Sequence, residues 1–208
     1  MKKKKIILVG AGGHAKSCID AIESQSIFQI AGMVGTESEL GSFVCGYEVI
    51  ATDESISKLA RSYRYALIAV GQITSHKYRK RLFEITQRAG FEMPVVISST
   101  SYVSKYALVL NGTIILNGAV VNADAKVGEN CIINSKSLIE HDVKVGNHCH
   151  ISTGAVLNGN VSVGEGCFVG SGAIIKEGIS IAPYSIIGMS TSIKKDFHSN
   201  LTSSKEEL

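Results

Sequence analysis

Between Val127 and Val163 the chain reads VGENCIINSKSLIEHDVKVGNHCHISTGAVLNGNVSV, and stepping through it by six decides the fold. The steps land on Val127, Ile133, Ile139, Val145, Ile151, Leu157 and Val163. Outward from there the column reaches back through Val121, Ile115 and Val109 to Val103, and forward through Val169, Ile175, Ile181 and Ile187 to Ile193. Every member is aliphatic and all but Leu157 are β-branched. Two residues before each of them from Val109 on runs a second column, starting at Ala107 and Thr113 and including Ala119, Ala125, Cys131, Ser137, Cys149, Ala155, Cys167 and Ala173, nearly all small. A fixed short period signals a repeat architecture. Six residues hold one short strand and one corner, so three units close a triangular coil of eighteen whose backbone pairs with the next. The aliphatic column fills the interior and the small column a cramped inner position, while Gly, Asn and Asp recur at corners that tolerate positive φ. Fifteen hexads from Val103 to Ile193 predict five coils. At about 4.8 Å per coil, the prism stands roughly 20–25 Å tall. Cys131, Cys149 and Cys167 are eighteen apart and should stack in one inner column as packing residues.

Residues 1–97 read as a different domain, with 98–194 as the β-helix and 195–208 as a polar tail that frays from Ser199 to Leu208. A strand over Lys5–Val9, the turn Gly10-Ala11-Gly12-Gly13, a helix from His14 to about Ser24 and a strand over Gln29–Val34 open this domain. A helix near Glu54–Arg61, a strand over Tyr65–Val70 and a helix from about Ser75 to Ala89 follow. The order is βαβ with a parallel sheet, a Rossmann-like α/β unit. Its glycine-rich turn can seat a phosphate on free N–H groups or merely connect strand to helix. A nicotinamide dehydrogenase would place an acidic residue at the end of the second strand, where Met33-Val34 instead run into Gly35-Thr36.

Composition narrows the function further. The chain has 208 residues, 45% apolar and 19% charged, and its net charge of +3 owes much to the run Lys2–Lys5. That charge makes no basic face for nucleic acid. The apolar run Ile6–Val9 is too short for a signal peptide core or a membrane span, so a cytoplasmic protein is expected. Five cysteines with no C-x-x-C pair suggest neither a disulfide framework nor a zinc knuckle.

The hexad pattern resembles the hexapeptide-repeat acyltransferases, and that resemblance implies a left-handed coil, a homotrimer and acyl-CoA lying between neighbouring prisms. The two halves together look like the bacterial sugar acetyltransferases that join a nucleotide-sugar-binding domain to such a prism, acting on nucleotide-linked 4-amino sugars or on sialic acid. The carriers are Val9–Ala15, Ala69–Ile73, Ser137–Asp142 and His148–Ala155. By this resemblance His141 matches the catalytic base and Asp142 the residue that orients it. His150, Ser171 and Met189 match positions that contact acetyl-CoA, and Gly159 a backbone amide facing the oxyanion. Gly12, Gly13 and His14 match phosphate-seating positions, with Gly71 and Gly35 in the same pocket. Two departures stand out: Gly35-Thr36 replace an acidic pair after the second strand, and the tail lacks a Gly-x-Pro-Ala-Lys ending.

Three functions compete. Acetyl transfer to a nitrogen or an oxygen needs a base, an oxyanion donor and a bound thioester, with no metal. A zinc hydratase would use His141, His148 and His150. A scaffold that keeps the trimer without activity would not bind acetyl-CoA.

Overall fold

The computed structural model describes residues 3–198 and the short strand Thr202–Ser203. Fraying was expected over Ser199–Leu208; Thr202–Ser203 is instead a paired strand, and the other positions of that stretch lie outside the described residues. The N-terminal domain contains β1 (Lys4–Val9), α1 (Gly13–Gln25), β2 (Phe28–Gly35), β3 (Phe43–Val44), β4 (Tyr47–Thr52), α2 (Ile56–Leu59), β5 (Tyr65–Ile68) and α3 (Lys77–Arg88). Its sheet has the order β3-β4-β2-β1-β5, parallel except for the β3–β4 hairpin. That hairpin is absent from the sequence reading. It turns on Cys45 and Gly46, both at positive φ, a two-residue turn without the Asn-Gly or Asp-Gly signature.

From Val96–Ile97 to Ser192–Ile193 the chain runs as two-residue strands six apart, stacked into three parallel sheets. The fold is a left-handed parallel β-helix. Each strand pairs with the one eighteen residues on: Val120–Val121 with Leu138–Ile139, Ile132–Ile133 with His150–Ile151. Thr202–Ser203 pairs with Ile186–Ile187, and Phe197 bridges Ile181, so the chain continues the prism past Ile193. The predicted aliphatic column is the core from Ile115 to Ile193, with Val103 and Val109 packed against its open end. Along the corners, every sixth residue from Gly112 to Ser190 has positive φ. Glycine occupies many of these positions, but Asp142 and His148 hold it too, at a cost that the coil-to-coil ladder offsets.

The inner cysteines donate their S–H groups to carbonyls of the next coil: Cys131 to Gly146, Cys149 to Gly164 and Cys167 to Ala182, at 3.0–3.1 Å. All three are free and buried. They are packing residues that also satisfy backbone acceptors.

The prism's three faces have different fates, set by the outward residue of each strand. One face carries Val96, Ile114, Ile132, His150, Phe168 and Ile186. The N-terminal domain covers it, burying Val96, Ile114 and Ile132 in the same cluster as Ala15, Cys18 and Ile22 of α1. A second face carries Leu108, Lys126, Lys144, Ser162 and Ser180 and is largely polar. The third carries Tyr102, Val120, Leu138, Val156, Ile174 and, at its end, Ser192, with Tyr102 and Ile174 well exposed.

Candidate active site

His141 lies on the corner between the third, apolar face and the polar face. Because Asp142 is the positive-φ residue of this corner, its carboxylate turns back toward the preceding side chain: His141 Nδ1 lies 2.8 Å from Asp142 Oδ2. Both side chains are more than half exposed. The hydrogen bond to Asp142 raises the His141 pKa above its ordinary value. With Nδ1–H directed at the carboxylate, Nε2 is the basic nitrogen, and it has no hydrogen-bond partner among the described residues. One coil on, Gly159 passes directly beneath the ring: a Cβ there would stand 2.7 Å from His141 Cε1 and 2.8 Å from Nε2. Glu140, Asn158, Asn160, Glu177 and Gly178 complete an open groove of about 650 Å³ around the imidazole. Gly159 therefore makes room for the His141 ring.

Ser171 and Met189 stack on another corner, at the opposite edge of the apolar face. Ser171 Oγ is 2.9 Å from Ser152 Oγ, and Met189 is exposed. Within one chain these residues do not share a groove with His141.

His150 differs from the expected coenzyme contact. It is the outward residue of the covered face, so its ring is buried against the N-terminal domain rather than aimed into a groove. His150 Nδ1–H donates to Gln72 O at 2.5 Å, and Asn134 Nδ2 donates to its Nε2 at 3.0 Å. Burial drives its pKa down to about 4, so it is neutral. His148 points toward α3, with Asn130 Nδ2 3.0 Å from its Nδ1 and Phe83 edge-on at 5.6 Å. The three imidazoles of the hydratase reading thus share no centre within the chain. No group of three or more His, Cys, Asp or Glu among the described residues could hold a metal.

The second half of the site lies at the carboxyl ends of β1, β2 and β5, where β1 has neighbours on both sides and doubly wound sheets bind ligands. Gly10 is there for packing: at φ +120°, a Cβ would strike Val70 at 2.6 Å. Gly12 and Gly13 are different, since a Cβ on either would meet nothing within 4 Å. They lie at the start of α1, whose N-cap Gly12 brings no side-chain cap. Open space over uncapped N–H groups suits an anion. His14 follows with its Nε2 buried and unpartnered, 6.5 Å from the His150 ring, and burial lowers its pKa to about 3. Gly71 packs loosely on this histidine: a Cβ at Gly71 would lie 3.5 Å from His14 Cβ, an ordinary contact.

Two residues missed in the sequence support this pocket. Arg79 of α3 is fully buried and donates Nη1 to Ile68 O and Val70 O, at 2.7 Å each, and Nε to Asn130 O at 3.3 Å. Burial lowers its pKa only to about 10, so it stays charged, and no carboxylate pairs with it among the described residues. It holds the strand end beside Gly71 and ties it to the prism. Nothing in the sequence distinguishes it from Arg81. Glu39 brings a carboxylate to the end of β2, where the sequence showed only Gly35-Thr36. Its Oε2 accepts from Thr36 N and from Thr36 Oγ1, both at 2.8 Å, in a capping box. The signal was the spacing Thr36-x-x-Glu39.

Known proteins match both halves. Residues 5–85 match the family model of the PglD N-terminal domain and residues 124–159 that of the bacterial transferase hexapeptide with six repeats. PerB of Caulobacter crescentus, a perosamine N-acetyltransferase solved with CoA and GDP-perosamine, is similar at 26% identity. The match covers 95% of this chain and 92% of PerB, with a TM-score of 0.89. The acetyltransferase domain of PglB from Neisseria gonorrhoeae, solved with acetyl coenzyme A, is also 26% identical, over 97% of this chain and 96% of its own, with a TM-score of 0.88. WeeI from Acinetobacter baumannii, at 20% identity over 96% of each chain and a TM-score of 0.82, shares the fold. No curated protein sequence matches.

Proposed function

We propose that this chain, which belongs with the bacterial sugar acetyltransferases joining a PglD-type domain to a hexapeptide helix, moves the acetyl group of acetyl-CoA onto the amine of a nucleotide-activated amino sugar. The observation that carries the reading is the His141–Asp142 pair with its free Nε2 at the groove. Nε2 takes a proton from the attacking amine as the nitrogen–carbon bond forms. The tetrahedral oxyanion then collapses, the carbon–sulfur bond breaks, and the imidazolium returns its proton to the departing thiolate. Asp142 stabilises that imidazolium and fixes the tautomer, in the manner of other carboxylate–histidine pairs. The Gly12–Gly13 turn, with His14, would hold the nucleotide's phosphates, Gly71 and Gly35 would line the same pocket, and the buried Arg79 cation would favour the phosphates' charge. The product would be a building block for a bacterial surface glycan, made in the cytoplasm.

A homotrimer fits this reading. The N-terminal domain seals one face of the prism and leaves the Tyr102–Ile174 face open and apolar. His141 edges that face on one side, Ser171 and Met189 on the other. Packing copies around it would bring the base of one chain to the coenzyme residues of the next. Transfer to a hydroxyl of sialic acid stays a rival for the same machinery, although its motive weakens once a carboxylate stands at the end of β2.

Release of free thiol from acetyl-CoA, followed against nucleotide-linked amino sugars and free or activated sialic acids with His141→Ala as control, tests the reading. Turnover of an amino sugar that vanishes in the variant supports it. Turnover of sialic acids alone, or none with any acceptor, overturns it.

A further inference from the structure

The nucleotide pocket holds a carboxylate whose second oxygen is unused. Thr36 clamps Glu39 Oε2 by two hydrogen bonds, while Oε1 has no partner among the described residues. The pocket, about 130 Å³, brings Glu39 together with Gly10, Ala11, Gly12, Gly35 and Thr36. Asp53, the other carboxylate there, already accepts from Tyr78 Oη at 3.1 Å. Gly35 explains why the acid comes from the turn and not from the strand: a Cβ at Gly35 would lie 2.9 Å from Glu39 Oε2 and 2.9 Å from Val49 Cγ1. The glycine and the glutamate are two halves of one arrangement. Doubly wound nucleotide sites place a carboxylate at this strand end, about one ribose away from the phosphate-binding turn, where it accepts from the sugar's hydroxyls.

We propose that Glu39 is the ribose-reading residue of this site and selects ribonucleoside diphosphate sugars over their 2′-deoxyribonucleoside counterparts. The inference rests on the nucleotide-sugar reading above and deepens it. Thr36 holds the carboxylate in place before ligand arrives, so little ordering is lost on binding. A hydrogen bond from a hydroxyl to an ionised acceptor is worth enough to favour the ribose form about ten- to a hundredfold.

Calorimetric titration of the full chain with UDP, GDP and their 2′-deoxy counterparts tests this, in the wild type and in Glu39→Gln. The glutamine keeps an oxygen for Thr36 and removes the charge. The wild type should bind the ribose forms at least about tenfold more tightly. Glu39→Gln should weaken UDP or GDP by a similar factor and leave the deoxy forms nearly unchanged, so that the ratio collapses toward one. Equal weakening of both forms would mean that Glu39 only shapes the turn and would overturn the proposal. So would a wild type that does not discriminate. If neither ribose nor deoxyribose diphosphates bind the wild type, the nucleotide-sugar reading itself fails first.

Discussion

Replacing Gly159 by Ala probes His141, the proposed base, without altering it. Gly159 does not have a left-handed backbone, so alanine is conformationally acceptable there. Its only effect is steric: the new methyl would sit 2.7 Å from His141 Cε1, and the ring must retreat by about 0.7 Å to regain a 3.4 Å contact. Because His141 is largely exposed, it can move away with little loss of stability. A displacement approaching 1 Å at a reacting atom can lower rate about a hundredfold, so kcat/KM should fall roughly ten- to a hundredfold. The melting temperature should stay within about 2 °C of wild type. Thiol-release kinetics and a thermal melt read both quantities. A double-mutant cycle sharpens the test: in a His141→Ala background the same substitution should cost almost nothing, since the two residues act as a unit. An unchanged kcat/KM in Gly159→Ala would refute the claim that Nε2 over Gly159 is the reacting nitrogen. An equal loss in both backgrounds would assign Gly159 a role of its own, such as the oxyanion contact.

Asp142 raises the His141 pKa, and a base must be unprotonated to act, so the acidic limb of log kcat/KM should lie above pH 6.5. Asp142→Asn should move that limb to lower pH while lowering the plateau, and a limb that stays in place would contradict the pairing. His14, at about 3, and His148 and His150, at about 4, all have folded pKa values below the unfolded 6.5. The unfolded chain therefore takes up protons first as pH falls, and stability should be flat above about pH 6.5 and decline from there toward pH 4. A urea midpoint that holds constant between pH 7 and 5 would contradict their burial. Val156→Glu puts a charge in the middle of the open apolar face and should shift the sedimenting species from trimer to monomer; an unchanged oligomer would remove that face from the interface.

Much of the prism was written in the sequence. Its period needs only six residues to repeat, so the column Val103–Ile193, the small inner column and the stacked cysteines are visible without tertiary information. His141 and Asp142 stood out only through the resemblance of Ser137–Asp142 to the family motif; the period by itself shows no more than two neighbours at a corner whose φ repeats along the chain. The uneven faces were also present in the order of residues. Val96, Ile114 and Ile132 stand outward in one column, and Val120, Leu138 and Val156 in another, as apolar as an interior.

The short range of that repeat also set the limit of the reading. It cannot say what lies against an outward face, because the covering surface comes from another part of the chain. Hence the burial of His150, matched by resemblance to a coenzyme contact, against Gln72 and beside His14 of α1 was not visible in the repeat. Glu39 was hidden for a more local reason: the carboxylate reaches the strand end through a turn rather than along it, and only the fold shows Gly35 leaving room for it. Period and corner are properties of consecutive residues and so are encoded where they occur. Burial, the charge state of His14 and Arg79, and the meeting of two domains depend on surfaces brought together across many residues of chain, which only the tertiary structure decides.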